Sequence, residues 1–205
     1  MAKLKAPLLS LGAAGAIGKS IVFFPWKGLD VAREYVVPAN PKTDPQNTQR
    51  GYLTAAVTNI HVAQGAAANP LDAEDISACA LLGSCEPTPR TWFNTIVKQW
   101  VDQKVASLLP AIWRDGHLTP GAAQLTFLIA ARTVESSAPT SGKIRYGTSK
   151  TALNSSLTAT IAEIQAGKVI PGLTNGVKYY AQYRPDTPVT FIGADSGIYY
   201  GTPAA

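Results

Sequence analysis

Apolar and polar residues alternate most strictly near the C-terminal end of the chain. Val177, Tyr179, Ala181 and Tyr183 form one largely apolar face, and Lys178, Tyr180, Gln182 and Arg184 form the other. That is the period of a half-buried antiparallel strand. The same alternation runs through Leu125, Phe127, Ile129 and Ala131 against Thr126, Leu128 and Ala130, and again from Lys143 to Ser149. Lys168-Val169-Ile170 and Gly197 to Gly201 are shorter β-rich runs, and 136–142 is a loop of small residues and Pro. Strands punctuated by turn signals about every eight to twelve residues predict a β-sandwich. Between Thr151 and Ala166 two readings compete. One is a Ser/Thr-rich edge strand over Leu153 to Thr160, and the other a helix with Leu153, Leu157, Ile161 and Ile164 near helical spacing.

The front half changes period. Ile21-Val22-Phe23-Phe24, a Lys27-Gly28 turn and Val31 to Val37 predict a hairpin over Gly18 to Val37, with Pro25 restricting its first arm to an edge or a bulge. Pro38-Ala39-Asn40-Pro41 stops it. Thr43 is an N-cap with Gln46 as capping-box partner, which predicts a helix over about Asp44 to Gln64 with Tyr52, Leu53, Val57 and Ile60 inward. Asp72 caps a shorter helix carrying Glu74 and Asp75 in its first turn, where negative charge suits the helix dipole, and Gly83 ends it. The strongest helical pattern starts at Thr88-Pro89. Its stripe runs through Trp92, Phe93, Ile96, Val97, Trp100, Val101, Val105 and Leu108, and Pro110 closes it. A stripe this broad reads as core.

Composition narrows the possible chemistry. Of 205 residues, 46% are apolar and only 15% charged, so a real core is available and much of the surface must be Thr, Ser, Asn, Gln, Gly and Ala. The net charge of +5 is concentrated at the front. Lys3, Lys5, Lys19, Lys27, Arg33, Lys42 and Arg50 face only Asp30, Glu34 and Asp44, so they are the candidate partner-binding residues. Cys79 and Cys85 are six apart and match no zinc pattern; two buried thiols or one disulfide both fit. With only His61 and His117, a His-rich metal site is excluded, and neither metal nor cofactor is expected. No run reaches the roughly 20 apolar residues of a membrane span. Met1 to Lys5 followed by Ala6 to Ala16 imitates a signal peptide only in outline, and cleavage is not expected.

Ala13 to Ser20 fits a relaxed phosphate-loop pattern, but Ile21 to Trp26 is β-like and contains Pro25. The helix that chemistry needs after the lysine is therefore missing. Glu135 and Glu163 lack a neighbouring base, and a helix N-terminus accounts for Asp72, Glu74 and Asp75. No nucleophile elbow or Cys-His pair stands out, so no catalytic residue is expected and the chain reads as a non-enzyme.

Two stretches resemble known families. Leu173-Thr174-Asn175-Gly176-Val177-Lys178-Tyr179 places a Leu six residues before a Tyr across a turn, which is how a tyrosine corner looks. With Lys143 to Ser149, Leu153-Asn154-Ser155 and Ile170-Pro171-Gly172, it resembles a fibronectin type III domain over about residues 119–205. In that family a Trp usually stands on the second strand, where this chain has Phe127 or Ile129. The first strand is either truncated at 118–123, which holds Pro120, or borrowed from upstream, and Arg114-Asp115-Gly116 reads as a turn. Gly18 to Arg50 is similar to a motif of tailed-phage structural proteins, in which Asn40-Pro41-Lys42-Thr43, Gln46 and Arg50 follow a hairpin.

Together these readings predict an α+β chain. Residues 1–117 form a basic arm, hairpin and helical region, and 118–205 an antiparallel, fibronectin type III-like sandwich. Asn40, Pro41, Thr43, Gln46, Trp92, Trp100, Leu173 and Tyr179 are the expected structural residues. The resemblances imply a virion protein made in the host cytoplasm. It would assemble with itself or with other capsid or tail proteins, without a membrane. Two alternatives stay open. One is recognition of a host surface or carbohydrate through 136–142 and 185–195, with Tyr180, Tyr199 and Tyr200 exposed. The other is nucleic-acid binding through the basic front.

Overall fold

The computed structural model describes residues 2–4, 15–18, 20–37, 39–40 and 42–204. The chain is mixed α+β and divides into two compact units, Met1–Thr43 and Asp44–Ala205. The division falls well before the expected boundary at 117/118, and a single strand, β5 (Ala111–Gly121), runs through that position.

In the first unit β1 (Ala2–Leu4), β2 (Gly15–Ile17), β3 (Ile21–Trp26) and β4 (Leu29–Glu34) form one antiparallel sheet in the order β1-β4-β3-β2. Trp26 pairs with Leu29 across Lys27 and Gly28, whose φ values are 48° and 76°. Positive φ at both central residues marks a two-residue hairpin turn that matches strand twist. Pro25 is tolerated for a local reason. β2 pairs with β3 only as far as Phe23, so at Pro25 the strand pairs with β4 alone among the described residues.

The second unit begins with three helices. α1 (Asp44–Gln64) starts immediately after Thr43 and buries Ala56, Ile60 and Ala63; Leu53, expected inward, is 49% exposed. α2 (Ala73–Ser84) is capped by Asp72, whose side chain accepts the Asp75 N–H in a capping box. α3 (Trp92–Val105) starts later than Thr88-Pro89, with Thr91 as N-cap accepting the Asn94 N–H. Ile96 and Trp100 on α3 join Ala56 and Ile60 on α1, Cys79 on α2 and Ile112 on β5 in one core, with Trp92 packed at its margin.

The remaining strands form two antiparallel sheets. β5, β6 (Gln124–Val134) and β9 (Lys168–Pro171) make one, in the order β5-β6-β9. β7 (Ser141–Gly147), β8 (Ser155–Thr160), β10 (Tyr179–Thr187) and β11 (Tyr199–Gly201) make the other, in the order β11-β10-β7-β8. Both sheets supply a second core through Leu125, Phe127 and Ile129 of β6, Ile144 of β7, Tyr183 of β10 and Tyr199 of β11. The ambiguous stretch resolves into both of its readings: strand β8 runs to Thr160, and Thr160 then caps the short helix α4 (Ile161–Ala166).

β5 decides one open reading and corrects another: it supplies the first strand from upstream of residue 118, and Arg114-Asp115-Gly116, expected as a turn, lies inside it. Its two faces serve different cores: Ile112 faces the helices, while Trp113 packs edge-on to Tyr183 at 5.1 Å and donates its indole N–H to Ala194 O at 2.8 Å. The core indole thus comes from the first strand, and Phe127 and Ile129 fill the second.

The turn before β10 closes through side chains. The Thr174 N–H donates to Tyr179 Oη at 3.2 Å, and Leu173 is buried beneath. Asn175 Oδ1 accepts the Ala123 N–H at 2.7 Å, tying this turn to the β5–β6 turn. Tyr179→Phe removes the acceptor without changing packing volume. It is expected to lower stability by about 1 kcal/mol in urea denaturation, with an unchanged m-value.

Candidate functional site

One carboxylate organises the meeting of α2, β5 and β11. Asp75 is fully buried and is the N3 residue of α2. Its Oδ1 accepts the Tyr199 hydroxyl at 2.6 Å and the Gly116 N–H at 3.0 Å. Its Oδ2 accepts the Asp115 N–H at 2.6 Å and the Asp72 N–H at 3.3 Å. Burial pushes the Asp75 carboxyl up, and these four donors pull it back. Burial also pushes the Tyr199 hydroxyl well above its ordinary value, with the Asp75 charge adding to it, so the tyrosine keeps the proton it donates.

The backbone is shaped to fit. Asp115 has φ +55°, a left-handed conformation that Asp tolerates better than most residues. The consecutive N–H groups of Asp115 and Gly116 converge on the one carboxylate, as in an anion-binding nest. Gly116 leaves no room for a side chain, because a Cβ there would lie 2.2 Å from Tyr199 Oη.

Above this anchor sits a second, more exposed cluster. His117 Nδ1 lies 2.7 Å from Glu74 Oε2, and His117 Nε2 lies 2.7 Å from Asp115 Oδ1. The hydrogen bond to Glu74 raises the His117 pKa above the ordinary histidine value; burial opposes it, and the hydrogen bond to Asp115 and the two carboxylate charges add to the rise. Asp72, Asp115 and His117 each offer a ligand atom, all within 4.8 Å of one another. The sequence reading expected no metal ligands and ascribed the three acidic residues of α2 to its N-terminus alone; Asp75 and Glu74 do more than that. Their partners lie about 40 and 124 positions away, so no local spacing announced them.

Two clefts flank α2. One, of about 300 Å³, is lined by Ala73, Glu74, Ser77, Leu118, Ile198 and Tyr200. The other, of about 330 Å³, brings Arg145, Lys150 and Arg184 together near Gln182 and Cys85. Arg184 Nε is 3.3 Å from Asp195 Oδ2, and Lys150 Nζ donates to Ser84 Oγ at 2.9 Å. Both cysteines are free thiols; burial pushes Cys79 up to about 12, which leaves it unreactive.

The residues singled out from the sequence fall in several places. Lys3 is on β1, while Lys5, Lys19 and Pro41 lie outside the described residues. Lys27 lies 6.0 Å from the ring centroid of exposed Trp26, and Arg33 5.1 Å from that of half-buried Phe24. Asn40 and Lys42 follow in the connection, whereas Gln46 and Arg50 belong to α1 in the second unit. The seven basic residues therefore do not form one patch on one unit. Of the three tyrosines expected outside, Tyr199 is 5% exposed and held by Asp75; Tyr180 is half-buried, and Tyr200 is 55% exposed with Lys178 Nζ 3.7 Å above its ring.

No family model matches the chain, and no curated protein or solved structure matches it either. Among the described residues no helix is long and apolar enough to cross a membrane.

Two outcomes follow from the geometry. Asp75→Asn keeps the volume but sets amide hydrogens against donors. It is expected to cost on the order of 3 kcal/mol in urea unfolding, more than Tyr199→Phe, which removes one donor and spares the rest. His117 is expected to titrate above about 6.5 in an NMR pH series. Because its folded pKa is raised, the stability it contributes is full below the unfolded value and is lost as pH rises through the folded one. His117→Gln should therefore destabilise the protein at pH 5.5 and have little effect at pH 9.

Proposed function

We propose that the chain is a structural assembly protein, a virion component of a tailed phage, built from a small adhesive sheet and a fibronectin type III-like sandwich. The observation that carries the assembly reading is the apolar surface of the first unit. Its described residues bury only Phe23 and Val31, while Ile17, Ile21, Trp26, Leu29, Val36 and Val37 are exposed, the last two by about 70%. A unit this small cannot cover such a surface with its own core. Exposed apolar residues on both faces of a small sheet, with cations beside them, favour a protein–protein surface. The occupant we assign to it is another subunit of the same particle, met by Trp26, Leu29 and the flanking Lys27 and Arg33.

The sandwich reading draws on different features. Seven strands divide three and four between two sheets, with the first, second and fifth in one and the third, fourth, sixth and seventh in the other. The chain changes sheet three times, as Greek-key sandwiches do, and the Tyr179 hydroxyl closes a tyrosine corner. The phage assignment itself rests on the resemblance of Gly18 to Arg50 described above. In such a protein the larger unit acts as a rigid spacer and performs no reaction.

A second reading, carbohydrate recognition, is favoured by one feature: exposed Tyr200 beside the 300 Å³ cleft that also holds Glu74. A selective signal on a glycan array, abolished by Tyr200→Ala, would replace the first reading.

The assembly reading predicts that the intact chain sediments as an oligomer at micromolar concentration. Trp26→Ser combined with Val37→Ser is expected to shift it to monomer without loss of the second unit's thermal transition. A monomeric wild-type chain that also fails to bind phage shells would overturn it.

A further inference from the structure

We propose that Asp72, Asp115 and His117 form a binding site for a divalent transition metal of the zinc class, with Glu74 orienting the histidine. The group is more than a collection of acids at a helix end. An imidazole and two carboxylates, from α2's cap and from β5, bring their ligand atoms within 4.8 Å of one another. Three protein ligands of N and O type with a position left for water are a usual zinc set. Imidazole suits zinc, nickel and copper better than it suits magnesium or calcium.

The arrangement around His117 supplies an independent reason. A metal-bound histidine normally donates its other ring N–H to a carboxylate, which fixes the tautomer. Glu74 Oε2 lies 2.7 Å from Nδ1 and fills that place. Nε2, 2.7 Å from Asp115 Oδ1, donates its proton there in the imidazolium form, and on losing that proton it would offer its lone pair on the same side. The scaffold is rigid beneath, because Asp75 holds the backbone N–H groups of Asp72 and Asp115, and so positions both carboxylate-bearing residues from one buried point.

Charge favours the same ligand. Among the described residues, the ion pairs of Glu74 and Asp115 are with His117 alone, and no Lys or Arg pairs with Asp72. The nearby Arg114 guanidinium donates instead to the carbonyls of Ala68, Asn69 and Arg132. Two carboxylates thus share one imidazole, and a third, that of Asp72, lies within 4.8 Å of the group. A dication replaces the imidazolium proton, Nε2–H breaking as the Nε2–metal bond forms, with the proton released to solvent. Affinity must therefore fall as pH drops and the proton competes.

The test uses the intact chain and zinc ion alone, read by competition with a chromophoric chelator. One zinc per chain is expected at pH 7.5, with affinity falling about tenfold per pH unit once His117 protonates. His117→Ala and Asp115→Asn should each weaken binding by tenfold or more, and Glu74→Gln by about 10- to 100-fold. Asn at position 115 tolerates the positive φ, so that variant should keep the fold. A measurement without substitution stands beside these. Paramagnetic Co²⁺ should broaden the His117 ring signals at equimolar ratio and spare those of His61. Absence of stoichiometric binding, equal binding by the His117→Ala chain, or broadening at His61 first would each overturn the proposal.

Discussion

The Asp75 carboxylate is the constraint on which the larger unit's architecture turns. A fully buried charge costs several kcal/mol unless donors surround it. Here the donors come from three elements: the α2 cap, two successive amides of β5, and a hydroxyl on β11. None of these elements can shift without stranding the charge. The helical layer is therefore locked onto the sheets in one register, which hydrophobic contact alone would leave loosely specified. Neighbouring close approaches fit this lock. The Ile198 N–H donates to Ala78 O on α2, and a Cβ at Gly197 would sit 2.7 Å from Ala78. The segment leading into β11 lies against the helix backbone, and only glycine fits there.

The same lock makes one site out of residues that share no sequence neighbourhood. Asp115 contributes its N–H to the buried carboxylate and its side chain to His117. Asp72 caps α2 with one oxygen and gives its own N–H to Asp75. A buried anion thus fixes the backbone beneath a half-buried group of two carboxylates and an imidazole.

How much of this could be read from the sequence depends on where each signal lay. Period-two alternation located β6 and β7, whose buried residues alternate, and β10 through Ala181 and Tyr183, although Gln182 between them is buried too and donates to Ser196 O. The corner around Leu173 and Tyr179 was legible because its contacts are local, five residues apart. β5 was not. Ile112 and Trp113 are both buried, one in each core, so no alternation shows, and Asp-Gly inside a strand looks like a turn. That turn signal was physically sound: Asp115 does take a positive φ, but within a strand, where it aims amides at Asp75. Leu53 went wrong for a related reason. α1 packs through a narrow stripe of Ala56, Ile60 and Ala63, and small residues carry little weight in a hydrophobic pattern. The site itself was invisible because its acids already had a complete local explanation as a helix N-terminus.

The two units differ in how they obtain their order. The larger one closes two cores and satisfies its one buried carboxylate internally. The smaller one has strand pairing, a two-residue turn of positive φ and, among the residues whose burial is described, two buried side chains. Its hydrogen bonds define a shape, and among its described residues Ile17, Ile21, Trp26, Leu29, Val36 and Val37 are exposed. Under the assembly reading proposed above that imbalance would be useful, because contact with a neighbouring subunit would cover these side chains and couple the order of the small sheet to assembly.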